Sequence, residues 1–330
     1  MVMTSFSATN GESSGIKINR KDLKQLMRRS DKPGLKWLAI WVAMLMVTGY
    51  ALHLSLGTAW VYLTMLAYGT VLTVPCYSLS HECAHGTAFR SRWLNEALFW
   101  ISSLLYFEEP YHRRYSHTRH HTYTWINGKD AQMPFATPMT LKGWLLEISG
   151  IAFLQFELGV FLRNALGKFA NNVIDFTPNS ELPKLKWSAR LCLAIYVAAT
   201  ALCWYSGTLW PLIYIVIPRL VGGPVMLFFT LIQHVEMKED QYDIRQSTRS
   251  FKTNWLGRFL YMNMNNHIEH HSYPTVPFYA LPALNKLISD QLPQPDPGLF
   301  KTNLEVLSVV VRRSLGKNTK AKSIRQALQP

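Results

Sequence analysis

The chain has 330 residues, 48% of them hydrophobic and 16% charged, with a formal net charge of +14. That is too apolar and too poor in charge for an ordinary soluble domain of this length, so a membrane protein is the starting expectation. The charge pattern argues against nucleic acid as a partner, because the basic residues form blocks at 17–36, 90–119, 184–190 and 312–325 between apolar runs, a pattern suited to membrane lipids.

The opening stretch is polar, Ser-rich and then basic for more than thirty residues, unlike a signal peptide, so the first apolar segment is expected to be retained. Residues 37–56 are 20 positions without Asp, Glu, Lys or Arg. At about 1.5 Å per helical residue they span about 30 Å, the thickness of a bilayer core. A second uncharged run, 59–79, follows after only Gly57-Thr58, which predicts a tight hairpin. Residues 95–107 and 144–162 are apolar but short or interrupted by Glu147 and Glu157, which suits interfacial or cap helices. The runs 187–205 and 208–232 repeat the hairpin around Ser206-Gly207, with Arg190 near the start of one and Pro218-Arg219 interrupting the other. The expected fold is therefore an all-α integral membrane protein with four transmembrane helices in two hairpins and a cytoplasmic helical cap that carries the functional site. Its parts are a basic cytoplasmic N-terminal segment, 1–34, a membrane catalytic domain, 35–290, and a basic C-terminal tail, 291–330.

Lys17, Arg20, Lys21, Lys24, Arg28, Arg29, Lys32 and Lys36 precede the first span, and the turns between spans carry no Lys or Arg. By the positive-inside rule both termini, and the segment 80–186, are expected in the cytoplasm. Cys76, Cys83, Cys192 and Cys203 have no paired spacing and are read as small buried apolar residues.

Ten of the 11 histidines follow the second or the fourth apolar run, so this topology collects them on one side; His53 alone lies inside a span, as a polar tip near the outer interface. His81 and His85 are four apart and share a helical face. His117, His120 and His121 form HxxHH, and His267, His270 and His271 repeat it, while His234 ends the fourth apolar run. These make nine candidate metal ligands. His112 lies five before His117, off that shared face; a place behind the ligands or beside a substrate, and no role at all, both stay open.

His81-Glu82-Cys83-Ala84-His85 also matches HExxH, which in zinc peptidases supplies two ligands and a general base. Catalytic zinc takes three protein ligands and an open position, which would leave the other histidines unexplained, whereas two metals of four or five ligands use them. Imidazole suits iron, copper and zinc alike. The membrane setting favours iron, because unactivated C–H bonds are the natural substrate there and breaking them needs O2 at a redox metal. A membrane metal carrier or haem-binding subunit is the non-enzymatic alternative, but carriers place ligands along crossing helices rather than at their ends.

HECAH, HTRHH and HIEHH resemble, in order and separation, the three histidine boxes of the membrane fatty acid desaturase and hydroxylase superfamily. The proline-rich continuation of the third box, through Tyr273-Pro274 to Pro282, is similar too, and the resemblance covers roughly 35–290. It implies two iron ions held by the eight box histidines and a further histidine at the end of the last membrane helix, the place of His234. Asp130 resembles the acidic residue that follows the second box and is expected to orient a ligand from behind; Glu82, Glu269 and His112 are the other candidates for such contacts. Glu82 departs from the common HDxxH form, as in some bacterial desaturase-like enzymes including the rhizobitoxine desaturase type, which leaves the substrate open and suggests a bacterial inner membrane.

The implied reaction is O2-dependent oxidation of a fatty acyl or related lipid chain, with desaturation first, hydroxylation next and alkene-forming decarboxylation third. These diverge after the first hydrogen is removed, on a placement that no motif encodes. Neither terminus carries an HPGG haem motif or a cysteine cluster. Electrons are therefore expected from a separate donor such as ferredoxin or rubredoxin with its reductase, which a basic surface would attract. Arg219 is expected to make a polar contact within the bundle beside Pro218.

Overall fold

The computed structural model describes residues 15–133 and 137–316; residues 1–14 of the N-terminal segment and 317–330 of the C-terminal tail lie outside them. Among the described residues every regular element is a helix, apart from one isolated bridge between Phe251 and Asp296. A short helix α1 (Arg20–Leu26) precedes two long ones, α2 (Asp31–Ser55) and α3 (Val61–Ala84). Then come α4 (Arg92–Tyr106), α5 (Pro110–Thr122), α6 (Leu141–Ile148), α7 (Ile151–Leu166), α8 (Asn171–Phe176) and the long α9 (Leu182–Ser206). A π-turn over Leu212–Val216 leads into α10 (Ile217–His234), followed by α11 (Ile244–Ser247), α12 (Trp255–Leu260), α13 (His267–Ser272), α14 (Leu281–Ile288) and α15 (Leu299–Ser314).

Among the described residues three segments are long and apolar enough to cross a membrane, Asp31–Ser55, Asn179–Ser206 and Leu212–His234, and the bent pair Leu141–Ile148 and Ile151–Leu166 would make a fourth if taken as one broken span. The fourth expected crossing, α3, has the length at 24 residues, but Thr64, Thr70, Thr73, Ser78 and Ser80 make it less apolar, and its second half is buried in the bundle. The apolar stretch 144–162, expected at the interface or on the cap, falls on two helices, α6 and α7, which meet at 70°. Gly150 makes that corner, with φ +76°, a conformation that costs glycine little.

The first expected hairpin pair, α2 and α3, packs together, and Trp41 Nε1 ties them by donating to the Val71 carbonyl at 2.7 Å. The second pair diverges: α9 packs chiefly on α7, and α10 packs on α3. Small residues govern that α3–α10 crossing. A Cβ on Gly69 would stand 2.5 Å from the Pro218 carbonyl oxygen, and one on Gly222 would stand 2.5 Å from both the Gly69 carbonyl carbon and Thr73 Oγ1. Backbones that approach this closely need glycine on both sides, as membrane helices commonly arrange. The consequence is positional, since the C-terminal ends of α3 and α10, with His81, His85 and His234, emerge side by side.

The tail segment contains α15, which packs on α10 and α6. Cys76, Cys83 and Cys192 are buried, Cys203 is half-buried, and all four are free. Arg219 lies within α10, where its Nε donates to the Tyr106 carbonyl at 2.7 Å and its guanidinium covers the Tyr106 ring at 4.0 Å.

Candidate metal centre

Four pieces of chain bring the histidines together. His81 lies on the last turn of α3 and His85 caps it. The second box is on α5, which starts where it does because Pro110 occupies its first turn and the Glu109 carboxylate accepts from the Tyr111 and His112 amides. The third box is α13 itself, held down by the fully buried Ile268. His234 ends α10, where the buried Arg249 donates to the carbonyls of Ile232 and Val235 at 2.8 and 2.5 Å and pairs with Asp296 at 3.1 Å. A cation on the last carbonyls is a favoured helix end and sets the direction of His234.

The nine imidazoles form two groups. His81, His85, His117, His121 and His270 make one, and His120, His234, His267 and His271 the other, with the ligand atoms of each group within 4.8 Å of one another. The HxxHH spacing explains the division. Positions i and i+4 of the second box serve the first group and those of the third box serve the second. The i+3 residues, His120 and His270, cross over. His121 and His271 stack at 4.2 Å between centroids where the groups meet. Eight of the nine are buried and His85 is half-buried.

Hydrogen bonds fix which ring nitrogen faces inward. His117 Nδ1 donates to Gln132 Oε1 at 3.0 Å, His120 Nδ1 to the Asp130 carboxylate at 2.9 Å, and His234 Nδ1 to the Ser247 carbonyl at 3.0 Å. The Thr124 hydroxyl gives its hydrogen to the His120 carbonyl, so its oxygen accepts from His271 Nδ1 at 3.0 Å. In these four rings Nε2 is left as a lone pair. Yet His117 Nε2 faces His85 Nε2 at 3.0 Å and His121 Nε2 at 3.1 Å, and His267 Nε2 faces those of His234 and His271, each at 3.1 Å. His270, 1% exposed, has no hydrogen-bond partner on either nitrogen, and His81 Nδ1 and His267 Nδ1 have none. Ring nitrogens that converge this closely in a dry interior, with both nitrogens of His270 lacking a hydrogen-bond partner, are the donor set that a cation between them satisfies, so the residues fit two metal ions. Burial, and then the nearness of His120, lowers His270 to about 3; burial and neighbouring imidazoles also hold His117 and His271 well below the ordinary range. Neutral rings are the ligating form.

Asp130 reaches His120 because Trp125 adopts a left-handed turn, φ +61°, just after the second box. Burial opposes ionisation of Asp130, but His120 and the amides of Trp125 and Gln132, both at 2.8 Å, outweigh it and hold the carboxyl below its usual value. Glu82 points elsewhere: its Oε1 accepts from the Thr87 hydroxyl at 2.6 Å and the Phe278 amide at 3.0 Å, joining the first box to the proline-rich segment. It does not line the cavity beside the histidines, as the general base of a zinc peptidase must. Glu269 accepts from the Ser250 hydroxyl at 2.6 Å and from Asn285. His112 is buried against Phe156 and Phe176, outside both histidine groups but on the cavity wall. His53 is remote, bonded to Tyr214 at 3.1 Å.

That cavity, about 220 Å³, is walled by His81, His117, His120, His234 and His267 on one side and by Tyr106, Trp125, Phe153, Phe156, Leu227 and Leu231 elsewhere. Sequence reasoning missed Gln132, Thr124, Ser247 and Arg249, whose types and spacings carry no signal apart from the fold.

Comparison with known proteins agrees with this geometry. The sequence pattern of the family described as fatty acid desaturase matches residues 57–303. The chain is 28% identical over 293 residues to a human sphingolipid delta(4)-desaturase/C4-monooxygenase, covering 82% of this chain and 80% of that one. It is 26% identical over 271 residues to the sn-1 oleoyl-lipid 12-desaturase of Arthrospira platensis, covering 75% and 70%, and 24% identical over 245 residues to the omega-3 fatty acid desaturase fat-1 of Caenorhabditis elegans, covering 67% and 58%.

Proposed function

The chain belongs to the fatty acid desaturase family, and on that premise we propose that it is an O2-dependent membrane enzyme that puts a double bond into a lipid chain. The observation that carries the reading is the convergence of nine imidazoles into groups of five and four beside a cavity open to both. Two iron ions, held by His81, His85, His117, His121 and His270 and by His120, His234, His267 and His271, supply when bound the O2 chemistry that unactivated C–H bonds require. The protein's own contribution is placement. Gln132, Asp130, Thr124 and the Ser247 carbonyl hold four rings in the ligating tautomer, while Phe153, Phe156, Leu227 and Leu231 keep water from the reacting carbon.

The names of the relatives support a lipid substrate, and one that pairs desaturase with C4-monooxygenase supports hydroxylation as the second reading. The basic residues before α2 support a topology with both termini and the histidines on the cytoplasmic side, where a ferredoxin- or rubredoxin-like donor is reached. Reducing O2 to two waters takes four electrons, and forming a double bond supplies only two, so the donor provides the rest.

The test supplies purified, iron-loaded protein with a ferredoxin, its reductase, NAD(P)H and candidate lipids. Loss of two hydrogens, dependent on O2 and on the donor, with two irons per chain, is the expected result. One zinc per chain, or product formed under strict anaerobiosis, refutes the proposal.

A further inference from the structure

The third histidine box is held by a part of the chain that contributes no ligand. Its helix, α13, has six residues, too short to be stable alone, and only one of them, Ile268, is apolar. Packing around that residue therefore fixes where His267, His270 and His271 lie. Ile268 is fully buried in a cluster with Ile244, Tyr273, Val276, Leu284 and Ile288, to which the N-terminal segment adds Ile16, 2% exposed. Among the described residues Ile16 is the only buried member of the cluster from outside 244–288, and Ile18, Leu23 and Leu26 pack on it from the same side.

Hydrogen bonds fasten this strap at three points. The Tyr273 hydroxyl, just past the third box, donates to the Ile16 carbonyl at 3.0 Å. Gln291 clasps the next residue, accepting from the Lys17 amide at 2.7 Å and donating to the Lys17 carbonyl at 2.8 Å. Tyr279 closes the far end, donating to the Arg28 carbonyl at 3.3 Å and accepting from the Ser30 amide at 2.9 Å. The same contacts reach His234. Arg245 on α11 donates to the Gln291 carbonyl at 3.3 Å, Ile244 beside it lies in the cluster, and the Ser247 carbonyl at the end of α11 accepts from His234 Nδ1.

The two histidine groups depend on this support unequally. In the group of four, His267 and His271 lie on α13 and His234 leans on α11, so only His120 is held from elsewhere. In the group of five, only His270 comes from α13, while His81, His85, His117 and His121 belong to the ends of α3 and α5. Without α13 the group of five keeps four imidazoles and the group of four keeps two.

Resting on the two-iron reading above, we infer that the N-terminal strap, through Ile16, positions the ligands of the four-histidine ion and has little hold on the five-histidine one. The basic segment ahead of the first membrane helix is thereby part of the metal centre rather than an appendage to it.

The experiment loads full-length protein with isotope-enriched iron and records iron content and Mössbauer spectra, with His81→Ala and His267→Ala as references that each remove a ligand from one group. Ile16→Asp puts a charge into the apolar cluster and should weaken the four-histidine ion about 10- to 100-fold, the usual effect of disturbing what supports a metal ligand. Iron content should fall from two per chain toward one, and the surviving signal should match that of His267→Ala. Ile16→Leu should restore both ions. Amide hydrogen exchange of the same samples should quicken over 267–273 in Ile16→Asp and stay unchanged over 117–121. Should Ile16→Asp fail to fold, Ile16→Ala and Tyr273→Phe, which remove part of one side chain and a single hydroxyl, should lose iron in the same order. Two ions retained in every folded variant, loss of both in parallel, or loss of the signal that His81→Ala lacks overturns the inference and leaves the two-iron reading intact. Wild-type protein that never holds two irons sinks both.

Discussion

Replacing Gly222 with alanine tests whether one helix crossing sets the metal geometry. The new Cβ would lie 2.5 Å from the Gly69 carbonyl carbon and from Thr73 Oγ1, and closer still to the Gly69 carbonyl oxygen, whereas ordinary contact begins at 3.4 Å. The threonine side chain has some freedom, but the Gly69 backbone has none, so α3 and α10 must part by about 0.9 Å or more. Metal sites tolerate deviations of about 0.2 Å in ligand distance. Since α3 carries His81 and His85 and α10 carries His234, both groups lose their geometry at once. Overpacking of this kind costs about 1–3 kcal/mol or more, against about 1 kcal/mol gained by replacing a helical glycine. Gly223 is the internal control. A Cβ there meets only Arg219 Nη1, at 3.0 Å, which asks for a shift of a few tenths of an ångström rather than a parting of backbones, so Gly223→Ala should cost much less than Gly222→Ala. Thermal unfolding in detergent and iron analysis of both variants decide the matter. Equal stability and iron content in Gly222→Ala and Gly223→Ala would refute the reasoning.

Asp130→Ala removes the acceptor that anchors His120 and the turn carrying Gln132, and iron affinity measured by titration should fall about 10- to 100-fold; unchanged affinity contradicts the role. Asp130→Asn should also bind iron less well, because its amide keeps one acceptor where the carboxylate uses two. Glu82→Gln keeps an acceptor for Thr87 and Phe278 and should retain activity within a few-fold, whereas loss of all activity would restore the general-base reading. Arg249→Met uncaps the end of α10 and leaves buried carbonyls unmet, at about 1–3 kcal/mol each; a lower unfolding temperature with reduced iron content is expected.

What the sequence determined by itself is which histidines share a face of their own helix. Spacings of three and four place His117, His120 and His121 on one face of their own helix, and the same holds for His267, His270 and His271, because 3.6 residues per turn is a property of the backbone alone. Apolar runs likewise announced the long helices before any contact was known. Asp130 was legible only through the resemblance, since nothing in its local sequence says that a left-handed Trp125 will turn it back onto His120. Tertiary structure decided which faces meet. The five-and-four division, the departure of α9 from α10 toward α7, and the 70° corner at Gly150 all depend on partners far away in the chain. The α3–α10 crossing shows why: Gly69 and Gly222 are 153 positions apart in the sequence, and each permits the close approach only because the other is also small. Periodicity records a residue's relation to its own helix, whereas packing is a relation between two surfaces that neither segment contains alone.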